Sequence, residues 1–507
     1  MAKRNGGIIG PDNVPAGPLG AAGGVWRLED AFNYQKAGLW PTVLGYQIPN
    51  SLRFNPNTDY LSRTPSSSAN TNTYTFSTWV KKWVNSNLIA AYQTLLSAND
   101  GSNNSINIGF GNGAFTNSGD YFEITYTNSA YAVQWSVRSN ALYRDVSAWY
   151  HVVVAVDTTQ ATAANRVKLY VNGEAIATTA TSSPAQNTGY VINTNVAHNI
   201  GRYVRNGDSY LYSYLAETYM IGGSQLTSSS FGETDATTGI WIPKAYTGSF
   251  GTNGFYLNFA NSGDLGNDVS GNNNDWTVNG LTSIDQSYDS PTNNFATLNP
   301  IAAQAGSGVS SAVNTFTEGN LKVADLASDT AISNLGVSTG KWFWEVQVVT
   351  DQDGIAIGAC NEGFNLNAEL GYNSPSSQSN GKVFGYYGNG NKFITIGDGS
   401  QFTSYGSAIA VNDIIGVALD LVNNQVTFYK NGTSQGTFSI TALGSGESYF
   451  PAIGNWSASA VVANYNFGYP PFTISSGNAD ANGFGNFEYA VPSGYYALCS
   501  KNLAVYG

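Results

Sequence analysis

Glu345 in WEVQV, Glu123 in YFEITY, Glu217 and Asp420 are the carboxylates that fall inside strand-like stretches of this chain. Glycoside hydrolysis is the chemistry a pair of such groups would perform. A retaining glycosidase holds two carboxyl groups about 5 Å apart, one as acid and one as nucleophile. On a strand that requires acidic residues two or four apart, as in E-x-D-x-x-E, and no such cluster occurs. Each carboxylate stands alone, which fits a turn or strand-edge role better than catalysis. The 2 histidines, His151 and His198, leave little room for imidazole chemistry. His151, between Tyr150 and Val152, reads as a sheet histidine. The 2 cysteines, Cys360 and Cys499, read as small buried thiols, with a disulfide left open. No G-x-S-x-G, HExxH or P-loop is present, and GNGNKF at Gly388 lacks the helix a phosphate site needs. The expectation is a protein that is not an enzyme.

Two binding chemistries remain. Calcium takes six to eight oxygen ligands, and DLGNDVSGNNND offers Asp264, Asp268, Ser270, Asn272, Asn274 and Asp275. No Glu closes this loop as in an EF-hand, and Asx turns account for the same composition without a metal. The weak calcium site is therefore the one cofactor expectation. For sugars, aromatic rings stack on pyranose faces while amides take the hydroxyls. Tyr386, Tyr387, Tyr405 and Trp456 lie near predicted loops and are the candidate ligand-binding set, with core or rim packing as the alternative for each.

The elements that would carry these residues are strands. DIIGVALDLVNNQVTFYKNG, Asp413 to Gly432, alternates with period two, so its strands have two distinct faces. Asn431-Gly432 supplies the positive φ angles of a type I′ turn. WYHVVVAVDTTQATAANRVKLYVNG, 149 to 173, repeats the unit. Arg166 to Gly173 aligns without a gap on Gln425 to Gly432, and Asp157 answers Asp420. Two copies of one supersecondary unit predict two related β domains.

Composition agrees. Only 11% of the residues are charged, against roughly 25% in ordinary globular chains. Gly, Asn, Ser and Thr fill the gap, with 32 Tyr and 24 Phe. This favours turn-rich β structure and a surface suited to glycans or to other protein surfaces. Net charge is −12 and no basic stripe occurs, which argues against nucleic acid. No apolar run approaches the roughly 20 residues of a membrane span, and no apolar segment follows the basic start as in a signal peptide.

In order, residues 1–44 form a Gly/Pro-rich arm with a short predicted helix. Ile8, Ile9, Trp26, Leu28, Phe32 and Trp40 give it the apolar groups for docking. Residues 45–260 read as an antiparallel sandwich with Phe76 and Trp79 in its core. Residues 261–305 are an Asn/Gly/Pro-rich junction, 306–475 a second sandwich, and 476–507 a Tyr-rich tail that packs back.

Leu52 to Phe54, Phe76 to Lys81, Trp149 to Asp157, Val167 to Gly173, Asn199 to Arg202 and Leu215 to Glu217 together resemble a laminin-G-like, concanavalin A-type jelly roll. The Asp expected after the L-A-E step is missing, for Thr218-Tyr219-Met220 stands there. Gly340 to Val346, Asp413 to Leu421, Val426 to Gly432, Tyr449 to Ala452 and Asn466 to Phe472 resemble a SPRY (B30.2-type) domain. These motifs carry core strands, so they imply fold: all-β, two tandem concanavalin-like antiparallel sandwiches. The arm, the GVWRLEDAFNYQKAG segment and the two domains together resemble virion proteins of tailed bacteriophages, particularly marine ones. That resemblance implies a virion location after synthesis in a host cytoplasm, and oligomers on the particle. Other virion proteins would hold residues 1–44, and a host-surface glycan or protein would be the ligand. A fibre or appendage comes first, a capsid or tail decoration protein second, and a polysaccharide-degrading enzyme last.

Overall fold

The computed structural model describes residues 45–89, 91–111, 119–236, 238–302, 315–326, 330–350, 354–366, 370–371, 381–396, 401–444, 446–455 and 460–507. The predicted arm, with Ile8, Ile9, Trp26, Leu28, Phe32 and Trp40, lies outside the described residues, as does Trp456. No described helix is long and apolar enough to cross a membrane.

The protein is all-β, built as two antiparallel sandwiches in tandem. In the first, one sheet runs Glu174–Ala175, Val167–Val171, Tyr150–Asp157, Thr73–Lys82, Ser213–Gly222, Ser51–Phe54 and Gln286–Ser287. The sheet facing it runs Thr178–Ser182, Val133–Leu142, Tyr121–Thr127, Ser105–Gly111, Gln93–Asn99, Ala197–Ile200, Tyr60–Arg63 and Thr277–Asn279. The second sandwich repeats this order. Its first sheet runs Thr433–Ser439, Gln425–Lys430, Ile414–Asp420, Lys341–Thr350, Val461–Asn466, Lys322–Leu326 and Thr315–Thr317. Its second runs Gln401–Ser404, Asn391–Ile396, Lys382–Tyr387, Ile355–Asn361, Tyr449–Asn455 and Thr330–Ile332. The hairpin echo read from the sequence thus extends to the whole topology.

The echoed turns are alike in detail. Asn172 and Asn431 have φ of 47° and 49°, and Gly173 and Gly432 follow with φ of 91° and 76°. The Asn side chains also act. Asn172 Oδ1 accepts from His151 N at 2.8 Å, and Asn431 Oδ1 accepts from Ile414 N at 2.9 Å. Asn431 therefore satisfies the first donor of Ile414–Asp420 and Asn172 the second donor of Tyr150–Asp157, in each case near the start of the hairpin's first strand. An added Cβ on Gly173 would strike Trp241, and one on Gly432 would strike Tyr489. In both copies an aromatic from the trailing chain lies over the turn.

Period-two alternation predicts one buried face per strand, yet Ile414–Asp420 and nearly all of Thr73–Lys82 are buried on both. Tyr74, Phe76 and Val80 enter the core between the sheets, while Trp79 on the opposite face packs with Ile48 and Ala216. The outer faces are covered by the segments that follow each sandwich. Residues 261–305, read as turns, supply the strands Thr277–Asn279 and Gln286–Ser287 to the edges of the first sandwich. The tail packs back, with Tyr496–Ala497 pairing parallel to Lys341–Thr350, and ends in a helix, Ser500–Tyr506, too short to announce itself by periodicity.

Trp83 and Tyr214 of the first sandwich belong to the same buried cluster as Trp342, Trp344 and Phe428 of the second. The two sandwiches share one core at their seam.

Candidate functional site at the seam of the two sandwiches

The aromatic set chosen from the sequence does not form a sugar platform. Tyr386 and Tyr387 lie at the end of strand Lys382–Tyr387, opposite Ile357 and Ala356, and take the packing role held as the alternative. Tyr386 is fully buried, its hydroxyl donating to Ser407 O and its ring 5.5 Å from both Tyr405 and Phe428. Tyr387 is buried against Phe402. Tyr405 is half-buried, and its hydroxyl donates to Gly436 O and accepts from Phe428 N. Burial pushes the Tyr386 and Tyr405 phenols up to about 12. These three rings are packing groups, with their polar ends already committed.

The acidic loop is likewise occupied by its own chain. The Asp268 carboxylate accepts from Tyr256 N, Ser270 N, Ser270 Oγ and Asn274 N at 2.8–2.9 Å. Asp275 accepts from Asp268 N, and the Asn272 and Asn274 amides donate to Gly254 O. The guanidinium of Arg63 donates to Asn274 Oδ1 and is attracted to Asp268 and Asp275. The fixed cation of this loop is an arginine. Among the described residues no three His, Cys, Asp or Glu side chains gather at metal-binding distance, Asp264 included.

Asp420 ends its strand and accepts from Asn423 of the turn, as expected, whereas Glu345 and Glu217 lie inside the fold, which corrects the expected turn or edge positions. Glu345, in the middle of Lys341–Thr350, is fully buried and accepts from Glu488 N and Tyr489 N at 2.9 Å and Asn466 Nδ2 at 3.0 Å. It pins the tail to the sheet. Desolvation raises its pKa to about 7 against these bonds. Glu217, buried at a bulge with φ of 51°, accepts from the hydroxyls of Tyr46, Tyr219 and Tyr256. Burial raises its pKa, and the phenols pull it back. Neither has a second carboxylate in its shell of hydrogen bonds. His151 lies between Ser77 Oγ at 2.9 Å and Trp241 Nε1 at 3.1 Å, and burial holds it neutral with a pKa near 3. Cys360 and Cys499 are free, buried thiols.

What the structure does assemble lies at the seam. The Asp289 carboxylate takes Lys81 Nζ at 2.7 Å, Trp149 Nε1 at 3.1 Å and Tyr469 OH at 3.2 Å. Lys81 and Trp149 come from the first sandwich and Tyr469 follows the last strand of the second, so one carboxylate ties the two together. Tyr214 OH donates to Gly319 O and Asn320 Nδ2 to Trp83 O, both at 2.8 Å. Arg53 pairs with Asp285 and Glu318 at 3.1 Å. Each buried polar group here has a partner across the boundary, which fixes the relative position of the domains.

Beside this network opens a cleft of about 520 Å³, bounded by Gln47, Tyr288, Asn293, Phe484, Asn486 and Lys501. Tyr288 and Asn486 also line an adjoining cavity of about 180 Å³ with Gln286 and Phe472. Tyr288 follows the edge strand Gln286–Ser287; Gln286 and Tyr288 face the cavities while Ser287 and Asp289 are buried. Sequence reasoning missed this place because its walls come from the junction and the tail, which are adjacent only after folding. The signal present was aromatic and amide content in both.

Comparison with known proteins fits this architecture. Residues 55–224 match the model of the concanavalin A-like lectin/glucanases superfamily, and residues 341–467 that of the SPRY domain. The chain is similar to Ran-binding protein 9 and Ran-binding protein 10 of Danio rerio, each 31% identical over 153 residues, 30% of this chain and 23% of the relative. It thus spans about a quarter of the length of these relatives. Among solved structures, the TRIM65 PSpry domain aligns at 14% identity over 34% of this chain and 92% of that one, with a TM-score of 0.26. A SAP-like pentraxin from Limulus polyphemus aligns at 14% identity over 36% and 80%, with a TM-score of 0.25. A concanavalin-like domain followed by a SPRY domain is therefore present, and both are binding-type folds for protein or carbohydrate.

Proposed function

We propose that the chain is a non-enzymatic virion protein of a tailed bacteriophage, an appendage that binds a host-surface glycan or protein. The observation that carries this reading is the fusion of two binding-type sandwiches by the Asp289 network, with an open cleft along the join. A rigid tandem presents its surfaces in fixed geometry, so little ordering entropy opposes binding. The carboxylates that could have supported hydrolysis are solitary and bound to tyrosines or to the tail. Residues 1–44 would dock the protein to other virion proteins, in several copies per particle.

Purified protein should bind host cells and compete with particles for adsorption; failure of both would overturn the appendage reading. Protein lacking residues 1–44 should stay folded yet be absent from assembled particles. The charge-poor composition, 11% Asp, Glu, Lys and Arg, also suits a decoration protein whose surfaces serve only particle contacts. Antibody labelling decides between them: tail tip for the appendage, capsid or tail wall for decoration.

A further inference from the structure

We infer that the seam cleft is the ligand site, and that it takes an acidic saccharide, of the uronate type, lying across Tyr288. This rests on the glycan-binding reading above and names its place and ligand class.

Three groups carry the argument, and each keeps bonding capacity free. Tyr288 is 45% exposed, and neither its ring nor its hydroxyl has a partner among the described residues. Most of the chain's other tyrosines pack or hydrogen-bond, so a bare ring at the join of two cavities is a free stacking face. Asn486 stands at the same join with an unpaired side-chain amide, able to donate to one hydroxyl and accept from another. Lys501 is half-buried in the larger cavity. Its ammonium donates to Gln47 Oε1 at 2.7 Å and lies over the Phe484 ring at 5.5 Å, with no carboxylate partner among the described residues. Two of its three donors remain for a ligand. A desolvated cation without a counter-ion favours an anionic group that would neutralise it.

The lining also includes Gly477, Gly483 and Gly485, which present backbone to the cleft without side chains. A ring face, an amide and an unpaired ammonium match a pyranose bearing a carboxylate. The adjoining cavities, joined at Tyr288 and Asn486, match a chain of at least two units.

Calorimetry on the full chain tests this with a galacturonate tetramer and its methyl ester, which lacks the negative charges and carries one extra methyl per unit. The tetramer should bind, and the ester about tenfold more weakly. Lys501→Met should remove that difference. Tyr288→Ala and Ala479→Trp, the latter filling the cleft from an exposed rim position, should abolish binding of both. No binding of the tetramer, or unchanged binding by Ala479→Trp, overturns the assignment. The adsorption assay keeps the two proposals separate. Adsorption blocked equally by wild type and Ala479→Trp places the ligand site elsewhere and leaves the appendage reading intact. Tetramer bound in the cleft without any effect on adsorption does the reverse.

Discussion

Lys81 Nζ lies 2.7 Å from the carboxylate of Asp289, and neither side chain touches solvent. Lys81 belongs to Thr73–Lys82 of the first sandwich, while Asp289 lies at the end of the junction, where Tyr469 of the second sandwich also reaches it. A buried pair of this kind gains little over an apolar replacement, but losing one member strands a charge, at a cost of about 3–5 kcal/mol. Its consequence here is positional: it fixes how the sandwiches meet.

Asp289→Asn should therefore destabilise the seam by several kcal/mol, and Lys81→Met with Asp289→Leu should recover much of the loss. Denaturant unfolding of wild type should show the sandwiches melting together, and Asp289→Asn should split the transition. A single, unshifted transition in that variant would remove the pair's role as a tie.

Acid should act on the two sandwiches in opposite senses. Burial lowers His151 to about 3 and His198 to about 4, from the ordinary value of 6.5, and both lie in the first sandwich. The unfolded chain takes up these protons first, so their contribution is complete above about 6.5 and is lost as pH falls toward 4. Hydrogen exchange at pH 7 and pH 5 should show lower protection in Thr73–Lys82 at pH 5. His151→Gln should lessen that drop; equal protection at both values would contradict the prediction.

Glu345 in the second sandwich has the other sign. Its folded pKa of about 7 exceeds the ordinary value of 4.5, so the folded state holds the proton more tightly. The stability it contributes is present below about 4.5 and is lost as pH rises through 7. Glu345→Gln should flatten the dependence of tail protection on pH between 5 and 7, whatever it does to the absolute midpoint. A slope identical to wild type would mean that the carboxylate does not titrate in this window.

How much of this was legible follows from which distances the sequence encodes. Ile415, Val417 and Leu419 announce their strand by alternation, and Asn431-Gly432 announces its turn, because both signals lie within a few residues. The repeat at Arg166 to Gly173 then gave the tandem. For Tyr386 and Tyr387 the sequence left binding and packing both open, because a strand buried on both faces has no alternation to say which way a ring points. Asp268 offers calcium ligands in the sequence, but in the fold Tyr256 N, Ser270 and Asn274 N take its oxygens while Arg63 bonds Asn274 Oδ1 beside it. The seam could not be read, since Tyr288, Asn486 and Lys501 meet only through the folded junction and tail.

The echoed turns allow a matched test of local against tertiary control. Asn172 and Asn431 each combine a left-handed backbone with a side-chain acceptor for the start of the preceding strand. Glycine keeps the first property and deletes the second, whereas alanine deletes both. Asn431→Gly deletes two side-chain bonds, the acceptor for Ile414 N and the Nδ2 donor to Asp413 Oδ1 at 2.7 Å, and should cost about 2 kcal/mol, about 1 for each. Asn431→Ala should cost about 1 kcal/mol more for the strained φ. At Asn172, whose side chain makes only the bond from His151 N among the described residues, the glycine step should be about 1 kcal/mol, and the alanine step should match that at Asn431 because φ is 47° against 49°. Urea midpoints for the four variants check this. Glycine variants as stable as wild type would show that the acceptor contributes nothing, and that backbone conformation alone keeps asparagine at both turns.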